Sequence, residues 1–395
     1  MRNGSLRIVP GLGRILIPAA LIILVSLKSA GGQDFAGPLD AGAFLQEIEA
    51  AERSQSPPQM AQQLTATLYS FVGRPDLVEP LGSLPRPKLC DGESGSQYVG
   101  ALPIIVERAR ATRVVMINEN HYRPEARLFW LDVLLRLRQE GYTHLAVEAV
   151  SVDEPVVIGG EVALRSGYYT REPIFTALLR RAAAEGYRIV AYDDVASLRP
   201  EDRLVAREQM QAERLASLLK TMPEAGKLIV LAGWSHVAEE PVPTSAMGPM
   251  RWMAARFKER TGIDPLTVDT TACRTTLAAA QIALDVHGRP LPLGVHGSRV
   301  DLVVHLPMAG DAPPASRWRR ALGQPVAVPA ELRPREGRLV VEAYRTGQQT
   351  GTLPYDRLML ATGERPDLHL PEGDWRIVAL RADGMPAAES FVAVR

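Results

Sequence analysis

The sequence predicts an α/β protein: a mostly parallel central sheet flanked by helices, followed by a small C-terminal antiparallel β module. Three observations predict it. Short apolar, β-branched runs alternate with segments of helical period between residues 98 and 268, the pattern of βαβ units. Four of those runs end abruptly on ionisable residues. Near Pro329 the period changes to short strands separated by Gly and Pro.

The N-terminus reads as an export signal. Arg2, Arg7 and Arg14 form a basic region, Ile15 to Leu27 is apolar, and Ser29-Ala30-Gly31-Gly32 offers small residues for cleavage. The apolar run is shorter than the roughly 20 residues of a spanning helix. Lys28 directly after it keeps an uncleaved membrane anchor open. The mature chain is expected to begin near Gln33, outside the cytoplasm, periplasmic or secreted. Residues 33–94 then read as a helical segment, with helices over Ala41–Arg53 and Pro58–Val72 and a Pro- and Gly-rich loop beyond.

The α/β domain is assigned to residues 95–325. A helix over Tyr98–Ala111 leads to the first strand, Val114–Asn118, which breaks into Glu119, Asn120 and His121. Pro124 opens a helix whose leucines recur at helical spacing, and Gly141 closes it. Strand two, His144–Glu148, ends on Glu148. Residues 149–170 lack periodicity. A helix over Glu172–Glu185 leads to strand three, Tyr187–Tyr192, followed by Asp193 and Asp194. Pro200 opens a long helix, and strand four, Lys227–Ala232, runs into Gly233-Trp234-Ser235-His236. A Pro-rich loop (Glu239–Pro249), a helix over Trp252–Thr261 and a fifth strand at Leu266–Val268 follow. Val300–Leu306 reads as one more strand in the less legible stretch 270–325. The tail, 329–395, is expected to be a separate module with strands near 338, 357, 375 and 390.

Lys plus Arg equals Asp plus Glu, 45 each, so the basic excess of a general nucleic-acid binder is missing. Cys90 and Cys273 are the two cysteines. Export permits a disulfide, but two buried free thiols are the plainer expectation.

In a parallel sheet all four strand endings face one crevice at the carboxyl edge, where ligands bind. Glu119, His121, Glu148, Asp194 and His236 are therefore the candidate residues, with two of the seven histidines among them. The chemistry that suits them is activation of water: a near-neutral imidazole takes a proton, and a carboxylate orients it. Two histidines with carboxylates equally suit a divalent metal, and haem is a further possible cofactor. The bland readings are that Asp193 and Asp194 cap a helix, Arg207 is a solvated helix residue, and Tyr122 is a packed tyrosine. The other five histidines have no constellation around them.

Asn118-Glu119-Asn120-His121 after a strand resembles the Gly-Glu-x-His motif of the erythromycin-esterase-like and ChaN-like haem-binding superfamily. Gly233-Trp234-Ser235-His236 resembles the Gly-x-x-His motif found there and in the related TraB/Tiki proteins. Glu148 matches the glutamate ending the next strand, and Arg207-Glu208-Gln209-Met210 resembles a recurrent helical element, which makes Arg207 a further site candidate. The resemblance spans residues 95–270. It departs at Asn118, where Gly is usual, and its Glu119-to-His121 spacing is that of the ChaN-like branch, so macrolide hydrolysis is not carried over. The resemblance implies a hydrolytic crevice with a motif His as base, metal-dependent proteolysis as in the Tiki branch, or haem binding with Tyr122 as a ligand. Three functions follow as expectations. One is an exported hydrolase acting on a small-molecule or peptide ester or amide. Another is a haem- or metal-binding protein without turnover. The last is a scaffold presenting the β module.

Overall fold

A computed structural model describes residues 39–395 apart from 41, 55–57, 79, 83, 85, 91–96, 149, 195–197, 199–202, 245–247, 292–293, 295–298 and 309–318. The expected export signal, the start of the long helix at Pro200 and part of the Pro-rich rim lie outside the described residues.

The chain begins with helices α1 (Phe44–Glu52) and α2 (Pro58–Phe71). Strands β1 (Lys88–Leu89) and β2 (Gln97–Gly100), helix α3 (Ala101–Ala109) and β3 (Val114–Glu119) follow. Next come α4 (Glu125–Gln139), β4 (Tyr142–Val147), a small hairpin of β5 (Val157–Ile158) and β6 (Glu161–Val162), α5 (Pro173–Ala184) and β7 (Arg188–Ala191). Helix α6 (Arg203–Thr221) leads to β8 (Lys227–Gly233). A second hairpin, β9 (Val242–Thr244) with β10 (Gly248–Met250), precedes α7 (Met253–Thr261), β11 (Leu266–Thr275), β12 (Gln281–Leu284) and β13 (Leu302–Pro307).

Among the described residues the main sheet has nine strands, in the order β2-β12-β13-β11-β3-β8-β4-β7, with β1 pairing β11. From β13 to β7 neighbours are parallel; β12 and β2 add an antiparallel edge. Every residue of β3 is buried, and its period-2 alternation fills two cores. Val115 and Ile117 pack under α3, α4 and α5. Val114 and Met116 pack under α6 and α7. The central trio β3-β8-β4 puts the ends carrying His121, His236 and Glu148 side by side. The fifth expected strand, β11, continues to Thr275, beyond Val268.

The C-terminal part is antiparallel, as expected: β14 (Gln324–Ala327) pairs β17 (Asp367–Leu370), and β15 (Arg338–Arg345), β16 (Asp356–Ala361), β18 (Gly373–Leu380) and β19 (Pro386–Val394) form a second sheet in the order β16-β15-β18-β19. It packs closely against the rest of the chain. Arg180 of α5 donates to the Leu353 carbonyl at 2.7 Å, Leu353 N–H donates to Val162 at 2.8 Å, and Arg357 donates to the Arg171 carbonyl at 2.8 Å. Leu353 sits in the core under α4 and α5. Val340, Met359, Val378 and Leu380 of the module share a third core with α1 and α2, and Tyr122, Tyr168, Tyr169 and Trp234 join it from the carboxyl edge of the main sheet. The module and the N-terminal helices thus form a wall over that edge. A cut near Val328 would run through cores that the module shares with the rest of the chain.

Cys90 and Cys273 form a disulfide, with Cα atoms 5.6 Å apart and 183 residues between them in sequence. This corrects the free-thiol expectation: β1 runs beside β11 and brings Lys88 opposite Cys273, a juxtaposition no local pattern announces. Among the described residues no helix is long and apolar enough to cross a membrane.

Candidate active site

β3 and β8 end together, with Glu119 opposite Gly233 in register. The chain then turns sharply at Trp234, a non-glycine residue with φ +40°. Backbone in that region is costly and persists where neighbours hold it. Asn118 is the holder. Its amide donates to the Trp234 carbonyl at 2.7 Å, and its Oδ1 accepts from Thr270 N–H at 2.7 Å. Asn118 therefore braces the turn that carries His236.

The first charged unit is built on β3. Glu119 Oε1 lies 2.8 Å from His121 Nδ1, and Arg127 grips the same carboxylate with two hydrogen bonds of 2.6 and 2.7 Å. Arg127 also donates to Glu172 at 2.9 Å. Glu172 caps α5, accepting from the backbone of Ile174 and Phe175. Burial pushes Glu119 up, but Arg127 and His121 override it and hold it at about 2. Burial raises Glu172, against the pull of Arg127. An ionised Glu119 accepts the Nδ1 proton of His121, so the ring presents Nε2 outward. The imidazole lies flat on Tyr169, with centroids 4.0 Å apart and planes 13° apart.

The second unit centres on Arg207, which is 3% exposed. It donates to Glu148 Oε1, and to Asp193 at 2.6 Å. Glu148 Oε2 in turn accepts from Gly233 N–H. His236 sits behind, 2% exposed, its Nδ1 2.9 Å from Glu208. Glu208 also accepts from Met253 N–H at 2.8 Å. Burial opposes charge on Glu148, yet His236 and Arg207 hold it well below the usual carboxylate range. Burial and the Glu148 charge raise Asp193, against Arg207. At His236 two influences disagree. Burial disfavours charge there, but Glu208 and Glu148 draw a proton in and push it up to about 10. Its Nε2 faces Arg207 at 3.1 Å and Glu148 Oε1 at 3.5 Å.

The two units meet over Gly233. A Cβ on that residue would stand 2.5 Å from His121 Nε2 and 3.2 Å from Glu148 Oε2. Only a glycine lets these atoms converge.

Four sequence candidates thus fall together: Glu119, His121, Glu148 and Arg207, with His236 beneath them. His236 does not open into the crevice beside His121, because Arg207 and Glu148 stand between it and solvent. Asp194 pairs with the half-exposed Arg214 at 2.8 Å, while its neighbour Asp193 joins Arg207 in the cluster. Tyr122 lies in the packed core. It is 3% exposed and packs against Trp234 with ring centroids 6.1 Å apart, so it faces packed side chains. Sequence reasoning missed Arg127, Glu172 and Tyr169, and left Glu208 unassigned inside a quoted motif. Arg127 had one signal, a charge on the inward face of an amphipathic helix.

A divalent metal does not fit these residues. Arg127 and Arg207 already stand among the carboxylates where a cation would sit, and both nitrogens of His236 are engaged. Among the described residues the one triad of His, Cys or acidic donors close enough to share an ion is Cys90, Cys273 and His305, whose sulfurs are bonded to each other.

No family model and no curated protein matches the chain. Solved structures of bacterial toxins and effectors show weak similarity to the chain. RRSP, a MARTX toxin effector domain from Vibrio vulnificus, is 16% identical over 59% of this chain and 55% of its own, with TM-score 0.36. The type III effector HopBA1 is 14% identical over 53% of this chain and 93% of its own, with TM-score 0.33. The C-terminal region of Pasteurella multocida toxin, described with a thiol-protease-like catalytic triad, is 13% identical over 71% and 46%, with TM-score 0.31. The chain thus spans about half the length of RRSP and of the Pasteurella toxin structure. Likeness at this level assigns neither family nor activity. Both cysteines of this chain are in the disulfide, so a thiol nucleophile has no place in the site.

Proposed function

We propose that the chain is an exported hydrolase of ester or amide bonds in a small-molecule or peptide substrate, with His121 as general base. We also propose that it belongs to the erythromycin-esterase-like and ChaN-like superfamily, on the strength of its Glu-x-His, Glu148 and Gly-x-x-His elements at three adjacent strand ends. Export rests on the basic and apolar pattern of residues 1–32.

The observation that carries the catalytic reading is the Glu119–His121 pair. The carboxylate, kept ionised by Arg127, fixes the Nδ1–H tautomer and stabilises the imidazolium formed when Nε2 accepts a proton. A water between Nε2 and Glu148 Oε2 gives one hydrogen to each. As Nε2 takes its proton, the oxygen attacks the carbonyl carbon. The bond to the leaving group then breaks, and the Nε2 proton passes to that group. Arg207, Asp193, His236 and Glu208 are positioning residues that hold Glu148 in place.

The test is turnover of 4-nitrophenyl acetate and of an unstructured peptide such as casein by the full chain and by His121→Ala. Loss of roughly a hundredfold to ten-thousandfold in rate with unchanged melting is the expected result. Turnover of either substrate that survives His121→Ala, or no turnover of either by the native chain, contradicts the reading.

A further inference from the structure

A cavity of about 380 Å³ lies between the β15-β18-β19 sheet, the loop at 345–352 and the chain around Asp40, on the sheet face that also carries Val340 and Val378. That is within the size range of small-molecule sites. Its floor is one cross-strand row: Tyr344 opposite Arg376, and Arg376 opposite Phe391. Directly opposed residues of antiparallel strands share a face, so a guanidinium stands between two aromatic rings. Arg376 lies 5.2 Å from the Tyr344 ring centroid, and Phe391 is 64% exposed. Thr346, Gln349 and Thr350 supply hydroxyls and an amide along the rim.

The charges in the wall decide the ligand. Asp40 is held by Arg171, and Glu342 by Arg357 and the Tyr344 hydroxyl. Neither acid is left for a ligand cation. Arg345, also in the wall, turns its guanidinium onto the Tyr355 and Trp375 rings, while Arg376 meets an exposed Glu389 at 3.5 Å, a contact worth little in water. The cavity therefore offers one available cation, two flat apolar rings and several neutral hydrogen-bonding groups. A purely apolar ligand would leave the rim groups unmatched. A phosphate would meet two wall carboxylates and a single free guanidinium.

We propose that this cavity binds an acidic saccharide. The C–H faces of the sugar rings lie on Tyr344 and Phe391, the carboxylate takes Arg376 in two parallel hydrogen bonds, and sugar hydroxyls meet Thr346, Gln349 and Thr350. The inference stands independently of the hydrolytic reading, since no residue of the His121 site takes part.

Calorimetric titration of the full chain with digalacturonic acid tests it, with cellobiose as the neutral comparison. The expected result is saturable binding of digalacturonic acid, weaker binding of cellobiose, and a loss of roughly tenfold or more in affinity in both Arg376→Ala and Phe391→Ala. His121→Ala should bind as the native chain does. No saturable binding of digalacturonic acid overturns the proposal. So do unchanged affinity in both cavity variants at native melting temperature, equal binding of cellobiose, and loss of binding in His121→Ala.

Discussion

His121 rests directly on Gly233: its Nε2 occupies space where a Cβ would be 2.5 Å away. Real Cβ atoms do not approach that closely, so Gly233→Ala must push the ring off. Displacement of a base by about 1 Å costs on the order of a hundredfold in rate. The expected outcome is that loss in kcat/KM, with a smaller effect on folding, read by comparing kinetics with thermal unfolding. An alanine variant of native activity would mean that the close approach has no catalytic role.

Tyr169 supplies the other face of the clamp on His121. Burial, with Tyr168 and Glu148 nearby, raises its phenol, so it stays protonated. Tyr169→Phe keeps the stack and should keep most activity. Tyr169→Ala frees the ring and should lose about 0.5–1.5 kcal/mol of stacking together with most of the rate. Steady-state kinetics of the two variants decide it; equal losses would show that the hydroxyl, not the stack, matters.

Arg207 and His121 should separate stability from activity. Arg207→Ala leaves Glu148 and Asp193 buried without their shared cation, and breaking such a pair costs roughly 3–5 kcal/mol. His121→Ala removes a ring at the crevice edge and leaves Glu119 with its Arg127 contacts, so its cost should fall below that. Urea unfolding of both variants measures the difference. Equal midpoints would argue against a tightly coupled second unit.

Glu119 gives the pH dependence. Its folded value, about 2, lies below the usual 4.5. Its contribution is therefore fully present above about 4.5 and is lost as pH falls toward about 2, on the order of 3 kcal/mol in all. Glu172, raised by burial, has the opposite sign and softens the slope. Glu119→Gln should flatten the acid limb of stability against pH, measured by denaturation between those values. An unchanged limb would remove Glu119 from the account.

Much of the site was legible because parallel strands end at one edge. A break from Val-Val-Met-Ile to Asn-Glu-Asn-His, repeated at Glu148 and at Trp-Ser-His, marks that edge without any knowledge of pairing. What stayed hidden depends on direction and distance. The choice between Asp193 and Asp194 turns on which way successive side chains point as β7 ends, which one residue of register reverses. Arg127 and Glu172 are joined across 45 residues. Tyr169 arises from a stretch with no period. The docking of the module runs through loop residues such as Leu164, Gly351 and Leu353, which carry no pattern at all.

Long-range proton–nitrogen NMR of the histidine side chains tests the central claim most directly, because it needs no substrate. The account holds that Glu119 keeps a proton on Nδ1 of His121, leaving its Nε2 free for water. The spectrum at mildly alkaline pH should show His121 as the Nδ1–H tautomer, switching or exchanging in Glu119→Gln. An Nε2–H tautomer at His121, unaffected by Glu119→Gln, would contradict the account.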